Sequence, residues 1–296
     1  MTSALLVRLG GLGDLLVALP SLRLVRAAFP EAELHLLCRP EYGGLLREAG
    51  VVDLAFSADD PKWMPLFDAE PPARLGGMLS GYDWIAGWFH GRKVAAELPF
   101  HAFRHDPASG AAISRGFFDA TADVLRAFGR SPASFDDCRL LFPGDPTRRE
   151  RLAVVHPGSG SPRKRWPLDR FRAVIDALRE GGLDGVVVSG EAEADMGGPL
   201  GGLPLPPGWR RWTRPPLSDL ARLLRAAAVY VGNDSGPTHL AAACGAATIA
   251  VFREEFAAAW APFGRTTVVS APSVEEVAAE DLIAVLMKVL EKAPAI

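Results

Sequence analysis

Cysteine is scarce in this chain, and its three copies, Cys38, Cys138 and Cys244, lie far apart with no CxxC pair among them. That spacing argues against a zinc ribbon and a disulfide framework, and it fits a reducing compartment. Long apolar runs are also missing. The longest charge-free one, near Leu240 to Phe252, is too short to cross a bilayer and contains Gly245. Arg8, Asp14 and Pro20 interrupt the apolar N-terminal stretch, so it does not read as a signal peptide. The expectation is a soluble, cytoplasmic protein that could still work on a membrane surface. No charge sign dominates: the net charge is −3, and acidic and basic residues nearly balance in each half. Such a balance predicts no nucleic-acid partner. There is no HExxH, no Walker lysine loop, no GxSxG elbow, and no convincing DxD or metal-spaced carboxylate pair. On those grounds neither a metal site nor a resident cofactor is expected.

What is present is ordinary globular material, 49% hydrophobic and 23% charged over 296 residues. That length suggests two domains of ~150 residues each. Residues 4–9 form a buried-strand pattern, followed by the turn Gly10-Gly11-Leu12-Gly13-Asp14. Leu15, Leu16, Leu19, Leu22 and Val25 then recur at helical spacing up to Phe29-Pro30. Strands are expected at Glu33–Cys38, Val51–Phe56 and Tyr82–Ala86, and a helix at Phe117–Phe128. Pro61, Pro65, Pro71 and Pro72 punctuate a loop between them. Phe142-Pro143-Gly144-Asp145-Pro146 looks like a linker, after which the βα pattern restarts. It continues through strands at 152–156, 185–189, 229–231 and 246–251 to a closing helix over 274–291. The fold class is therefore α/β, with two Rossmann-like doubly wound domains at 1–145 and 146–296. Ligands of such sheets bind beyond the carboxyl ends of the strands, so the loops there are where chemistry is sought.

Four loops qualify. In the first, Gly11 and Gly13 allow a tight strand-to-helix turn, and Asp14 is a candidate general base or simply a helix cap. A dinucleotide fingerprint needs a third glycine where Leu16 stands, which disfavours a nicotinamide-dependent dehydrogenase. The second loop, His156-Pro157-Gly158-Ser159-Gly160-Ser161-Pro162-Arg163-Lys164-Arg165-Trp166-Pro167, offers amides and positive charge to a phosphate, or is a solvated basic loop. The third, Ser189-Gly190-Glu191-Ala192-Glu193, carries a carboxylate that suits ribose hydroxyls. The fourth, Gly232-Asn233-Asp234-Ser235-Gly236-Pro237-Thr238-His239, is the most specific, with polar side chains clustered at a helix start.

In this order and spacing the four segments resemble the lipopolysaccharide heptosyltransferases, glycosyltransferase family 9. The similarity covers nearly the whole chain and is strongest in the K-x-W-P and G-N-D-[ST]-G-x-x-H motifs. The resemblance implies a GT-B fold with a cleft between two Rossmann-like domains. It implies inverting, metal-independent transfer from ADP-heptose to a lipopolysaccharide-type or other envelope glycan or glycolipid acceptor. It makes Asp14 the catalytic base and assigns Ser159 and Lys164 to the donor phosphates. Glu193 falls to the ribose, and Asp234, Ser235, Gly236 and His239 to the donor sugar and diphosphate. The first half departs from the family's D-x-Q-G-like pattern, with Tyr82-Asp83-Trp84-Ile85-Ala86-Gly87-Trp88 in its place. There Arg92, Lys93, Arg104 and His105 are either surface charges or contacts for an anionic acceptor. Two rival functions share the architecture: a nucleotide-sugar epimerase, which needs no acceptor, and a non-catalytic sugar-nucleotide binding protein.

Overall fold

The computed structural model describes residues 1–67, 73–89, 100–104, 111–131, 133–142, 150–190 and 203–291. The chain divides into two compact units, Met1–Pro143 and Gly144–Ile296. The residues from Pro143 to Pro146, expected to link domains, lie outside the described residues, as do Arg92, Lys93, His105 and Glu193.

The first unit contains β1 (Ser3–Val7), α1 (Leu12–Ala28), β2 (Glu33–Cys38), α2 (Pro40–Glu48) and β3 (Leu54–Ser57). After a 3-10 segment, Pro61–Phe67, come α3 (Ala73–Leu79), β4 (Trp84–Phe89), β5 (Phe100–Arg104) and α4 (Ile113–Ala127). The strands form a parallel sheet in the order β3-β2-β1-β4-β5, with Leu5 of β1 level with His35 of β2 and Ile85 of β4. Strand β1 is central and covered on both faces, which is why it reads as an unbroken apolar run. Helix α1 is buried nearly all round and passes through Pro20. On one face of the sheet Leu5, Val7, Leu37, Ile85 and Phe89 pack against Trp63 and Leu66 of the 3-10 segment.

The second unit contains β6 (Glu150–His156), α5 (Leu168–Glu180), β7 (Asp184–Ser189), β8 (Trp209–Thr213), α6 (Leu217–Ala226) and β9 (Ala227–Asn233). It continues with α7 (Gly236–Ala243), β10 (Ala247–Arg253), α8 (Glu254–Trp260), β11 (Thr266–Ala271) and α9 (Ala279–Glu291). Its sheet is parallel in the order β11-β10-β9-β6-β7-β8. The chain thus starts this sheet in the middle, at β6, and its neighbours are β9 on one side and β7 on the other. The loops after β6 and β9 are brought side by side at the point where the strand order reverses, the usual ligand position in such sheets. The core beneath them joins Val155, Val187, Val229, Val231 and Val251 of the sheet to Trp166, Phe171 and Leu282. Each fully buried side chain of this size contributes roughly 1.5–3 kcal/mol.

Arg104, weighed as a surface charge or an acceptor contact, closes the edge strand β5 and is exposed. Two features differ from the pattern in the sequence. Strand β8 has only Trp209 buried and leaves Arg210 and Arg211 exposed, so this edge strand shows no apolar run. The closing helix does not run unbroken from Val274: a 3-10 turn, Val274–Glu276, precedes α9. The carbonyl of Val277 accepts from the indole Nε1 of Trp166 at 2.9 Å and from Arg170, and Val277 itself is extended. No helix among the described residues is long and apolar enough to cross a membrane.

Candidate active site

In the first unit the chain leaves β1 and turns into α1 within four residues. Gly10 makes the turn possible with φ of +111°, a conformation that penalises any Cβ. A Cβ there would lie 2.6 Å from Oδ2 of Asp14. Gly11 is the extended N-cap of α1, and Gly13 sits in the first helical turn. The backbone thus demands glycine at Gly10 rather than at Gly11. Asp14 Oδ2 accepts from the Gly11 amide at 2.9 Å, and Oδ1 lies 3.1 Å from Nη2 of Arg8. The carboxylate therefore caps the helix, yet it stays about one-third exposed, at 33%.

In the second unit the loops after β6 and β9 are laced together by buried groups. Asn233, fully buried, accepts from the Trp166 amide at 3.1 Å and donates to the Pro157 carbonyl at 2.7 Å. Ser159 Oγ donates to the Asp234 carbonyl at 2.9 Å. Its hydroxyl proton thus joins the two loops. The Asp234 amide donates to the Val251 carbonyl at 3.0 Å, fixing the fourth loop to β10. The three adjacent cations of the second loop have separate fates. Arg163 is exposed beside Arg253, Ser273 and Glu275, which line a cavity of about 220 Å³. Arg165 folds back to donate to the Ser159 carbonyl at 2.9 Å. Lys164 places Nζ 2.6 Å from Asp234 Oδ2 and 5.2 Å from the ring centre of Phe256. This is a built site rather than a solvated basic face.

The start of α7 follows at once. Ser235, its extended N-cap, is half-buried together with Gly236 and Pro237. The first amides of a helix have no acceptor within it, and Pro237 has no amide to satisfy. A hydroxyl chain underlies this start. Tyr230 hydrogen bonds to Thr238 at 3.0 Å, Thr238 to Ser235 at 3.1 Å, and Ser235 meets Nδ1 of His156 at 3.3 Å. Thr238 also donates to the Asn233 carbonyl. Gly232 makes room for this chain, since a Cβ there would lie 2.5 Å from the Tyr230 hydroxyl.

Burial sets the charges. It raises the Asp234 carboxyl above its ordinary range, and the Lys164 ammonium partly opposes that rise. His239, on the second turn of α7 and 3% exposed, is held down at about 4 by burial and, secondarily, by Lys164. The ring is therefore neutral near pH 7, with one nitrogen to donate and one to accept. Among the described residues no group of three or more His, Cys, Asp or Glu side chains gathers as a metal site.

The structure thus places Asp14 in one unit and brings Ser159, Lys164, Asp234, Ser235, Gly236 and His239 together in the other. Arg8 and His156 carry much of this geometry without standing among the residues singled out from the sequence. Arg8 bonds to Asp14 nearby and to Trp88 far along the chain, and His156 meets the remote Ser235. Asn233 alone could have been singled out, because an Asn directly after a buried strand commonly ties loop backbone.

The profile of glycosyltransferase family 9 (heptosyltransferase) matches residues 92–281, which is more than half of the chain. No curated protein matches it. Among solved structures, the ADP-heptose LPS heptosyltransferase II of E. coli superposes with a TM-score of 0.75 at 16% identity, covering 99% of each chain. The E. coli heptosyltransferase WaaC, solved with ADP, gives 0.70 at 18% identity, covering 97% of this chain and 100% of that one. A glycosyltransferase family 9 protein from Veillonella parvula DSM 2008 gives 0.76 at 16% identity, covering 99% and 98%. At such identities the likeness establishes the shared GT-B type of fold, two parallel-sheet α/β domains. The family profile, running from β5 to the start of α9, adds the identity: the chain belongs to glycosyltransferase family 9, the heptosyltransferases, and is a glycosyltransferase.

Proposed function

We propose that this enzyme moves a heptose-like sugar from an ADP-linked donor to a lipopolysaccharide-type or other envelope glycan, with inversion and without a metal. The observation that carries the reading is the lacing of two loops in the second unit around Lys164, Asp234 and the start of α7. A diphosphate suits that place: the Lys164 ammonium and the Gly236 amide at the start of α7 can meet it, and the helix dipole favours negative charge. Lys164 has three N–H donors, so it can keep Asp234 and still meet a phosphate oxygen. The neutral ring of His239 and the hydroxyl of Ser235 add polar contacts for the donor. Glu193 takes the ribose in this reading. The E. coli WaaC relative was solved with ADP and with ADP-2-deoxy-2-fluoro heptose, which favours an adenine nucleotide here.

In the reaction an acceptor hydroxyl oxygen forms a bond to the anomeric carbon while that carbon's bond to the phosphate oxygen breaks. Asp14 takes the hydroxyl proton, and the nucleoside diphosphate leaves with the electron pair. One displacement inverts the anomeric centre. The charge developing on the leaving group is met by Lys164 and the N-terminus of α7 at Gly236. Residues 1–145 hold the acceptor and residues 146–296 the donor. A glycolipid acceptor places the work in the cytoplasm, at the inner face of the membrane.

Calorimetric titration with ADP, UDP and GDP tests the donor assignment, and ADP is expected to bind most tightly. A preference for UDP or GDP would overturn it. Product NMR with ADP-heptose, with and without heptose-deficient lipopolysaccharide, separates transfer from epimerisation. Conversion of the donor that ignores the acceptor would make the protein an epimerase, and ADP binding with no conversion would make it a binding module.

A further inference from the structure

The buried cation of the first unit has no part in the chemistry described so far. Arg8 follows β1 and is 4% exposed, in a neighbourhood built of leucine, valine and aromatic side chains. A guanidinium in such a place is costly unless each side of it is used. Burial pulls its pKa below the ordinary value, and the charge and hydrogen bond of Asp14 pull it back.

Every contact of the fork has a structural target. Nε donates to the Asp14 carbonyl at 2.6 Å, and Nη2 meets the Asp14 carboxylate at 3.1 Å. Nη1 donates to the Trp88 carbonyl at 3.0 Å, near the end of β4. The guanidinium carbon lies 5.6 Å from the ring centre of Phe117 in α4. Trp88 is itself fastened: its Nε1 donates to Thr121 at 3.0 Å, and Thr121 donates to the Phe117 carbonyl at 2.7 Å. One side chain thus grips Asp14 at main chain and carboxylate together and refers both to β4 and α4. With Gly11 on the other oxygen, the carboxylate has one bond on each oxygen. A helix cap alone would need only the Gly11 contact.

We propose that Arg8 is a positioning residue, fixing the Asp14 carboxylate in the orientation from which it accepts the proton of the acceptor hydroxyl. The proposal rests on Asp14 being the base. Lysine cannot reproduce the function fully, because an ammonium lacks the planar fork that meets Asp14 twice and Trp88 once.

The test compares Arg8→Met, Arg8→Lys, Arg8→Gln and Asp14→Asn in the full chain. The readouts are thermal melting, ADP affinity, and ADP release from ADP-heptose with water or heptose-deficient lipopolysaccharide as acceptor. ADP affinity belongs to the second unit and is expected to stay within about two-fold in every folded variant. For Arg8→Met the expected result is a kcat about 100-fold lower at nearly unchanged donor KM, the scale of a base misplaced by an ångström. Arg8→Lys is expected to recover roughly ten-fold of that loss. If Arg8→Met does not fold, Arg8→Gln, which keeps an N–H donor without the fork, takes its place with the same expected loss. A folded Met or Gln variant with kcat near wild type would overturn the proposal while an inactive Asp14→Asn left the base assignment standing. A lysine variant no better than methionine would also overturn it, since packing would then explain the loss. An active Asp14→Asn, or a wild type that releases no ADP from either acceptor, would remove the base reading and this proposal together.

Discussion

Acidification tests the electrostatics around the start of α7 through His239. Its imidazole is buried in α7 and held at about 4, against an ordinary value of 6.5 that the solvated ring regains on unfolding. Between these values the unfolded chain binds a proton that the folded chain refuses. Stability therefore falls as the pH drops from about 6.5 toward 4, and the contribution is intact above that window. At about 1.36 kcal/mol per pH unit, the gap amounts to a loss of roughly 3 kcal/mol. Asp234 acts in the opposite direction. Burial raises its carboxyl, so the folded state takes up that proton first and gains stability as the pH falls. A wild-type curve alone mixes these two slopes. The difference between wild type and His239→Gln isolates the ring, because glutamine is polar and does not titrate. Urea unfolding of both proteins between pH 7.5 and 4.5, followed by tryptophan fluorescence, is the assay. Relative to the variant, wild type is expected to lose roughly 3 kcal/mol over the window. Parallel curves would refute the reasoning, since they would mean that the folded protein accommodates the imidazolium as well as water does.

Asn233→Ala leaves the Trp166 amide and the Pro157 carbonyl buried without this partner, so it is expected to cost roughly 2–4 kcal/mol and to weaken ADP binding. Unchanged melting and calorimetry would show that the loops hold without it. Gly10→Ala forces a Cβ against Asp14 at positive φ and is expected to cost about 1–2 kcal/mol and most of the turnover. Gly11→Ala, where the nearest atom is 3.6 Å away, is expected to be mild, and equal effects of the two would contradict the geometry. Burial pushes the thiols of Cys38 and Cys138 up to about 12 and about 11. Neither is expected to react with iodoacetamide at pH 8 until the protein is unfolded, and rapid native labelling at either position would disprove this.

Much of this fold was legible because its central strands are covered on both faces. ALLV in β1 and AAVYV in β9 are continuous apolar runs, and the polar, Gly-rich stretches that follow them, Arg8 to Gly11 and Gly232-Asn233, mark the loops beyond. Of the edge strands β3 was legible, as Val51–Phe56, but β5, β8 and β11 were not. Strand β8 presents Arg210 and Arg211 to solvent, so pairing with β7 rather than composition makes it a strand. The break before α9 was hidden for another reason: it depends on Trp166 and Arg170 reaching the Val277 carbonyl from more than a hundred residues away. Within the candidate site, residues that offer charge or hydroxyls announce themselves by type. Arg8 does not, because a single arginine after an apolar strand looks like its solvated end until Trp88 and Asp14 are seen around it.

The two units solve the same physical problem by the same means. A strand ends, and a buried polar side chain ties the departing loop to a neighbouring element. In the first unit it is Arg8 on Trp88, and in the second it is Asn233 on Pro157 and Trp166. The groups suited to touch ligands come next and stay about one-third exposed, Asp14 at 33% and Lys164 at 32%. This division follows from competing demands. A group that binds or accepts a proton must be reachable by substrate, but an exposed side chain on a loop is free to wander, and an ångström of wandering costs about a hundred-fold in rate. A buried polar group with its hydrogen bonds made is held in place instead, because it is too costly to leave its partners. Pairing one of each kind makes a loop accessible and fixed at once. It follows that damage at Arg8 and Asn233 should register in different quantities, turnover for the first and donor affinity for the second, because each fixes a different partner in the reaction.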